Sequence, residues 1–202
     1  MRLRRCAPAF AILLLCVLHL RASTPSVPTD TWQQGGMLST ARTGATATLM
    51  ADGRILIVGG KDGNGNALAS ADALNPDGTT APAPSMLTPR YGHSALLLNN
   101  GSVLVAGGHT TGGAGVNTAE LFDPIANTWR FAQNTMVDSR AEFTLSQLLD
   151  GSVLVAGGDN GSGPISSVEQ FFPLTGASNT QDLSMRLVRR TPQPFSRTGA
   201  YS

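Results

Sequence analysis

"DGSVLVAGG", from Asp150 to Gly158, decides the fold because the chain writes it three times. The other copies are "NGSVLVAGG", Asn100 to Gly108, and "DGRILIVGG", Asp52 to Gly60. One apolar run closing on a glycine pair could be the strand before a nucleotide-binding loop. Three copies, starting at Asp52, Asn100 and Asp150, are a repeat.

More than the nonamer recurs. Met37, Met86 and Met136 open the units, and Arg42, Arg90 and Arg140 follow them. Then come a small-and-apolar run ("TGATATLM", "YGHSALLL", "AEFTLSQLL"), Asp-Gly or Asn-Gly, the apolar run and the glycine pair. Two apolar runs separated by Asn-Gly or Asp-Gly predict a hairpin, since these residues tolerate the positive φ of a tight turn. "VLVA" is continuous rather than alternating, which predicts a strand covered on both faces. A third run ("SADALNP", "TAELFDP", "SVEQFFP") ends at proline, and Trp129 in "NTWRF" marks a fourth. Each unit is therefore expected to be a four-stranded antiparallel meander that must stack on its neighbours to bury both faces.

Composition agrees. Charged residues are 13% of the 202, while 23 glycines and 12 prolines punctuate the chain, as short strands and tight turns require. The first 22 residues stand apart. "MRLRR" and the apolar "AFAILLLCVLHL" resemble a secretory leader, with Ala22 and Ser23 as small residues for cleavage. The apolar run is shorter than the about 20 residues a bilayer span needs. The leader reading places the mature chain in a secreted, periplasmic or cell-surface location with no stable membrane span; a retained anchor is the alternative. Both cysteines, Cys6 and Cys16, lie in the leader, so the mature chain would hold neither disulfide nor thiol chemistry. Residues 23–185 carry six basic and thirteen acidic side chains, which argues against nucleic-acid binding. Residues 186–202 add four arginines and no acid.

The combination of Met and Arg at fixed spacing, the hairpin, Gly-Gly, "AELFDP" and "NTW" resembles the bacterial kelch repeat over about residues 30–185. The resemblance implies an all-β fold of kelch-type β-propeller blades around a central channel. The units would be residues 37–85, 86–135 and 136–185, preceded by a segment 23–36 and followed by a truncated fourth unit or tail, 186–202. "TDTW", ending at Trp32, matches "ANTW", ending at Trp129, and kelch propellers commonly use such an N-terminal outer strand to close the ring. The tryptophan position reads Ala81 in the first unit and is polar near Ser178 to Thr180 in the third. Gly59, Gly60, Gly107, Gly108, Gly157, Gly158, Trp32 and Trp129 are the expected structural residues. Closed propellers have roughly four to eight blades. With three glycine pairs the ring is incomplete, as in the first part of a longer propeller or a gene fragment. Its open blade edges invite self-association.

The residues support no catalytic assignment. "VLVAGGHTTGGAG" is followed by no helical period, so it lacks the helix N-terminus that a dinucleotide site needs. "DGNGN", Asp62 to Asn66, starts like a calcium loop but has Ala67 where the turn glycine belongs and Ala73 where the bidentate glutamate belongs. With no mature cysteine and only His93 and His109, no metal or cofactor is expected. The kelch resemblance points instead to the loop face at the channel mouth, where Arg42, Arg90, Arg140, His93 and His109 would bind a protein or glycan beside Lys61, Asp62 and Asp159. The competing expectation is that each arginine bonds carbonyls or an acid of the adjacent blade, and that Glu142 pairs with Arg140. The function expected is a non-catalytic binding or scaffold module; the alternative is the N-terminal part of a carbohydrate-active kelch enzyme, oxidase or sialic-acid-processing, whose catalytic blades lie elsewhere.

Overall fold

A computed structural model describes residues 30, 32 and 34–173. The leader, most of segment 23–36's opening, the tail from 174 and the expected fourth unit lie outside the described residues. Within the unit that begins at Gly35, eleven strands form three antiparallel sheets. The first contains β1 (Thr46–Leu49), β2 (Ile55–Val58), β3 (Ala71–Leu74) and β4 (Thr80–Ala83) in that order. The second contains β5 (Ser94–Leu97), β6 (Val103–Ala106), β7 (Ala119–Asp123) and β8 (Thr128–Phe131). In the third, β9 (Thr144–Gln147), β10 (Val153–Ala156) and β11 (Val168–Phe171) follow the same plan. The all-β meander expected from the repeats is what forms, and the described sheets do not close a ring.

Each first hairpin is built the same way. The side-chain oxygen of Asp52, Asn100 or Asp150 accepts the amide two residues on, at 3.0, 3.0 and 2.9 Å. Only the following glycine takes positive φ, at 85°, 84° and 83°. The turn is thus an Asx turn that delivers the chain to one left-handed residue.

Register divides each sheet into two unlike faces. Leu56 and Val58 of the first sheet pack toward Val103, Val105, Phe122 and Trp129 of the second. Leu104, Ala106 and Leu121 of the second pack toward Val153, Val155 and Phe171 of the third. Alternate residues of one "VLVA" strand therefore serve different cores. Every residue of β6 is buried because that strand has a neighbour on both sides, whereas β2 and β10 each bury alternate residues.

Trp129 stacks on Phe122 with ring centroids 5.0 Å apart and donates its indole N–H to the Pro84 carbonyl of the first sheet at 2.8 Å. Register corrects its counterpart. Phe122 faces Trp129, and the equivalent pair in the first sheet is Leu74 with Thr80, not Ala81. Ala81 lies one position along, on the opposite face. Trp32 lies in no strand.

The glycine pair is the closest approach between sheets. Gly107 has φ of +64°, and a Cβ there would collide with the Arg140 carbonyl and the Phe143 ring of the next sheet. Gly108, at φ +99°, would strike Tyr91 and His93 of its own sheet. Gly101, at φ +84°, would meet nothing within 4 Å. Gly101→Ala should therefore cost about 1–2 kcal/mol for the left-handed backbone alone. Gly107→Ala should cost more than about 3 kcal/mol, because the sheets must also separate. Urea unfolding of the two variants measures the difference.

Candidate functional site

The three repeat arginines are the best-defined polar feature, and they point inward. Arg90 and Arg140 are completely buried, and the Arg42 side chain is 1% exposed. Arg90 donates to the carbonyls of Gly107 at 2.8 Å and Thr118 at 2.9 Å, to the Thr118 hydroxyl at 3.0 Å, and to Glu120 at 2.7 Å. Arg140 repeats the set with Gly157, Ser167 and Glu169 (2.6 Å), and Arg42 with Gly59, Ser70 and Asp72 (3.0 Å). The carboxylates are used fully. Glu120 also accepts the amides of Leu87 and Thr88, and Glu169 those of Val137 and Asp138.

Two expectations are corrected by this geometry. Buried guanidiniums cannot contact a partner, so Arg42, Arg90 and Arg140 are not binding residues. Their acids and accepting carbonyls also belong to their own sheets rather than to the adjacent one. The arginine backbone makes the crossing: the Gly60 amide donates to the Arg90 carbonyl at 2.9 Å, and Gly108 to Arg140 at 2.8 Å. Glu142 does not pair with Arg140, which is held by Glu169 and lies 3.5 Å from Asp138. The only mark the acids Asp72, Glu120 and Glu169 carry in the sequence is their spacing, each following its arginine by 30, 30 or 29 residues.

Burial pushes Arg90 below the usual guanidinium value, and the Glu120 carboxylate beside it opposes the shift. Removing one partner leaves a buried charge, which typically costs about 3–5 kcal/mol. Glu120→Ala should therefore destabilise strongly in thermal unfolding. Disrupting the exposed Asp52–Arg54 pair, 2.7 Å apart, should cost less than about 1 kcal/mol.

His93 is not on the open face either. It is 5% exposed, and its Nε2 lies 2.8 Å from the Thr46 hydroxyl of the first sheet. Burial, with Arg90 nearby, pushes it down to about 3. A histidine that stays neutral when folded but protonates when unfolded loses stability as pH falls from about 6.5 toward 3. Phe143 occupies the same place in the third sheet. His93→Phe should flatten this part of the stability–pH profile, measured by denaturant midpoints from pH 7 to 4.

What remains open is a rim where the inner loops meet the loops after the glycine pairs. Bridges join Thr43 to Lys61, Tyr91 to His109 and Ala141 to Asp159. The Lys61 ammonium sits 4.9 Å from the Tyr91 ring centroid, and the Tyr91 and His109 rings are 5.4 Å apart. His109 is half-buried, with its Nδ1 enclosed and without a hydrogen-bond partner. Exposed Glu142 lies against Gly92 and has φ of 53°, the left-handed conformation that Gly44 and Gly92 hold at the same step. Tyr91 and Glu142 escape the repeat logic because they depart from it: the other copies read Thr43 and Ala141, and Gly44 and Gly92. Asp62 spends its carboxylate on the amides of Asn64 and Asn66 and the Asn66 side chain, so 62–66 is a self-closed polar turn. Asn66 is also the main cause holding Asp62 below the usual carboxylate range. Among the described residues no three His, Cys, Asp or Glu side chains form a metal-binding group, and no helix is long and apolar enough to cross a membrane.

Four-stranded meanders joined by glycine pairs and fastened by a buried arginine–carboxylate clamp define a class of stacked-blade repeat. Among family models, the Kelch motif matches residues 89–136, from the loop that carries Arg90 through β8 to Met136. Residues 89–136 thus carry a kelch motif, and the sheets on either side follow the same strand plan. No curated protein matches it significantly.

Proposed function

We propose that this chain is a kelch-type binding or scaffold module that engages a protein through the rim of Lys61, Tyr91, His109 and Glu142. The observation that carries the reading is Glu142. An L-residue in the left-handed region costs about 1–2 kcal/mol relative to glycine, and two of three copies keep glycine there. A strained residue with an exposed carboxylate, beside a half-buried tyrosine and histidine, fits contact better than packing. The rim also has the chemistry of a recognition surface, with aromatic faces, one cation and carboxylates in reach of a partner. Export, supported by the leader-like residues 1–22, would put this surface outside the cytoplasm; a glycan is the other ligand the same groups could take.

The test places a photo-crosslinking residue at Tyr91, or at Ile125 on the opposite strand ends as a control, and screens the protein on a glycan array. Discrete protein adducts from the Tyr91 position, lost with Lys61→Glu, are expected. Glu142→Gly should raise the melting temperature while weakening the same adducts. Adducts indifferent to both substitutions would refute a binding role for the rim.

A further inference from the structure

Asparagine followed by glycine is the pair in which a side-chain carboxamide and a backbone amide react with each other most readily, because no Cβ shields the glycine nitrogen. The chain carries it three times, as Asn64-Gly65, Asn100-Gly101 and Asn160-Gly161. All three lie in turns whose glycine takes positive φ, at 84°, 84° and 90°. They differ in what holds the two reacting groups.

At Asn100 both groups are held. The side-chain oxygen accepts the Ser102 amide at 3.0 Å, and the Gly101 amide donates to the Leu98 carbonyl at 2.9 Å. That turn joins β5 to β6, between Leu98 and Val103, which are 2% and 0% exposed, so freeing the amide means opening a hairpin of the core. At Asn160 the oxygen accepts the Ser162 amide at 2.9 Å, and the Gly161 amide donates to the Asp159 carboxylate at 2.6 Å. An ionised acceptor strengthens the hold on that proton.

At Asn64 the side chain is loose. The amide two residues on, from Asn66, goes to the Asp62 carboxylate at 2.9 Å, so the bond that fixes Asn100 and Asn160 is already taken. The Asn64 backbone amide donates to the same carboxylate, while its carboxamide has no hydrogen-bond partner among the described residues. The Gly65 amide donates to the Asp62 carbonyl at 3.0 Å, yet residues 63–66 are all exposed, so that bond opens without disturbing a buried side chain. The loop also tolerates a change of length. It runs from Lys61 to Ala67, and the third sheet spans the same bridge from Asp159 to Pro164 with one residue fewer.

We propose that Asn64 is a spontaneous modification site, converted to aspartate and isoaspartate through the Gly65 amide. The Gly65 nitrogen gives its proton to water and attacks the Asn64 Cγ. A nitrogen–carbon bond forms, the bond from Cγ to the carboxamide nitrogen breaks, and that nitrogen takes a proton and leaves as ammonia. Water then opens the cyclic imide at either carbonyl. Opening at the main-chain carbonyl routes the backbone through Cγ and frees the α-carboxylate, which is isoaspartate; opening at Cγ gives aspartate. Nothing is oxidised or reduced. Either product places a new carboxylate in the loop that carries Lys61, so this part of the rim turns more acidic as the protein ages. The chemistry itself does not depend on the rim's being a contact surface.

The purified full chain is incubated at neutral pH in buffer and, in parallel, in denaturant. Conversion at each site is followed by peptide mass spectrometry and by methyl labelling with an isoaspartate methyltransferase. In denaturant the three sites should convert at similar rates, since each is Asn-Gly. In the folded chain Asn64 should keep a rate within about threefold of its denatured one, while Asn100 and Asn160 slow by about tenfold or more. Asn64→Ser should remove the leading methylated peptide and leave the other two sites as they were. Conversion at Asn100 or Asn160 as fast as at Asn64 in the folded chain overturns the inference, as does an Asn64 that converts only in denaturant.

Discussion

Every sheet depends on one buried guanidinium. The arginine at the start of the innermost strand has only its planar fork of donors to offer, and its sheet supplies acceptors for nearly all of it. One goes to the carbonyl of the first paired glycine, two to the residue just before the third strand, and one to a carboxylate inside that strand. The inner loop, the glycine turn and the third strand are thereby fixed to one another without a hydrophobic contact. Burial would make this charge prohibitive alone. The carboxylate matches it and then reaches two amides of the loop that brings the chain in, so the clamp satisfies polar groups on both sides.

With the inner edge fixed, the glycine pair can do its work. The arginine carbonyl is presented outward at a set position, and the neighbouring sheet's second glycine donates to it. A Cβ on the first glycine, Gly59 or Gly107, would meet the arginine carbonyl across the seam, while one on the second would strike the inner loop of its own sheet, so the two glycines answer to different neighbours. The hydrophobic seam follows from this approach: it brings Val103, Phe122 and Trp129 against Leu56 and Val58, and Leu104 against Val153. Polar clamp and apolar seam are therefore sequential parts of one assembly.

The strands were legible in the sequence because three copies agree on them, and each hairpin announces itself with Asp-Gly or Asn-Gly. Stacking was legible from the continuous "VLVA". The arginines were visible but their direction was not, since an arginine in a loop carries no mark of whether it points to solvent. The decisive sign lay 29 or 30 residues away, in Asp72, Glu120 and Glu169, and differences of residue type hid it. Counting residues also misplaced the tryptophan counterpart at Ala81, because the first sheet spans from Leu74 to Thr80 one residue more tightly than the second spans from Phe122 to Trp129. The rim was the hardest part to read. Tyr91 and Glu142 are exceptions to the repeat, and a repeat teaches what its copies share.

Because each guanidinium finds its carboxylate within its own 48–50 residue unit, every unit is electrically self-contained. Among the described residues no ion pair crosses a seam: what crosses is backbone, apolar side chains, neutral polar contacts such as His93 with Thr46 and Ser94 with the Phe143 carbonyl, and Lys61 over the Tyr91 ring. Copying or deleting one whole unit in the gene would thus strand no buried ion, and the new junction would present the same carbonyl and the same glycine amide as the old one. An ion pair drawn across the seam would have tied each unit to a particular neighbour. Keeping the charge at home lets the number of units change while the chemistry of every junction stays the same.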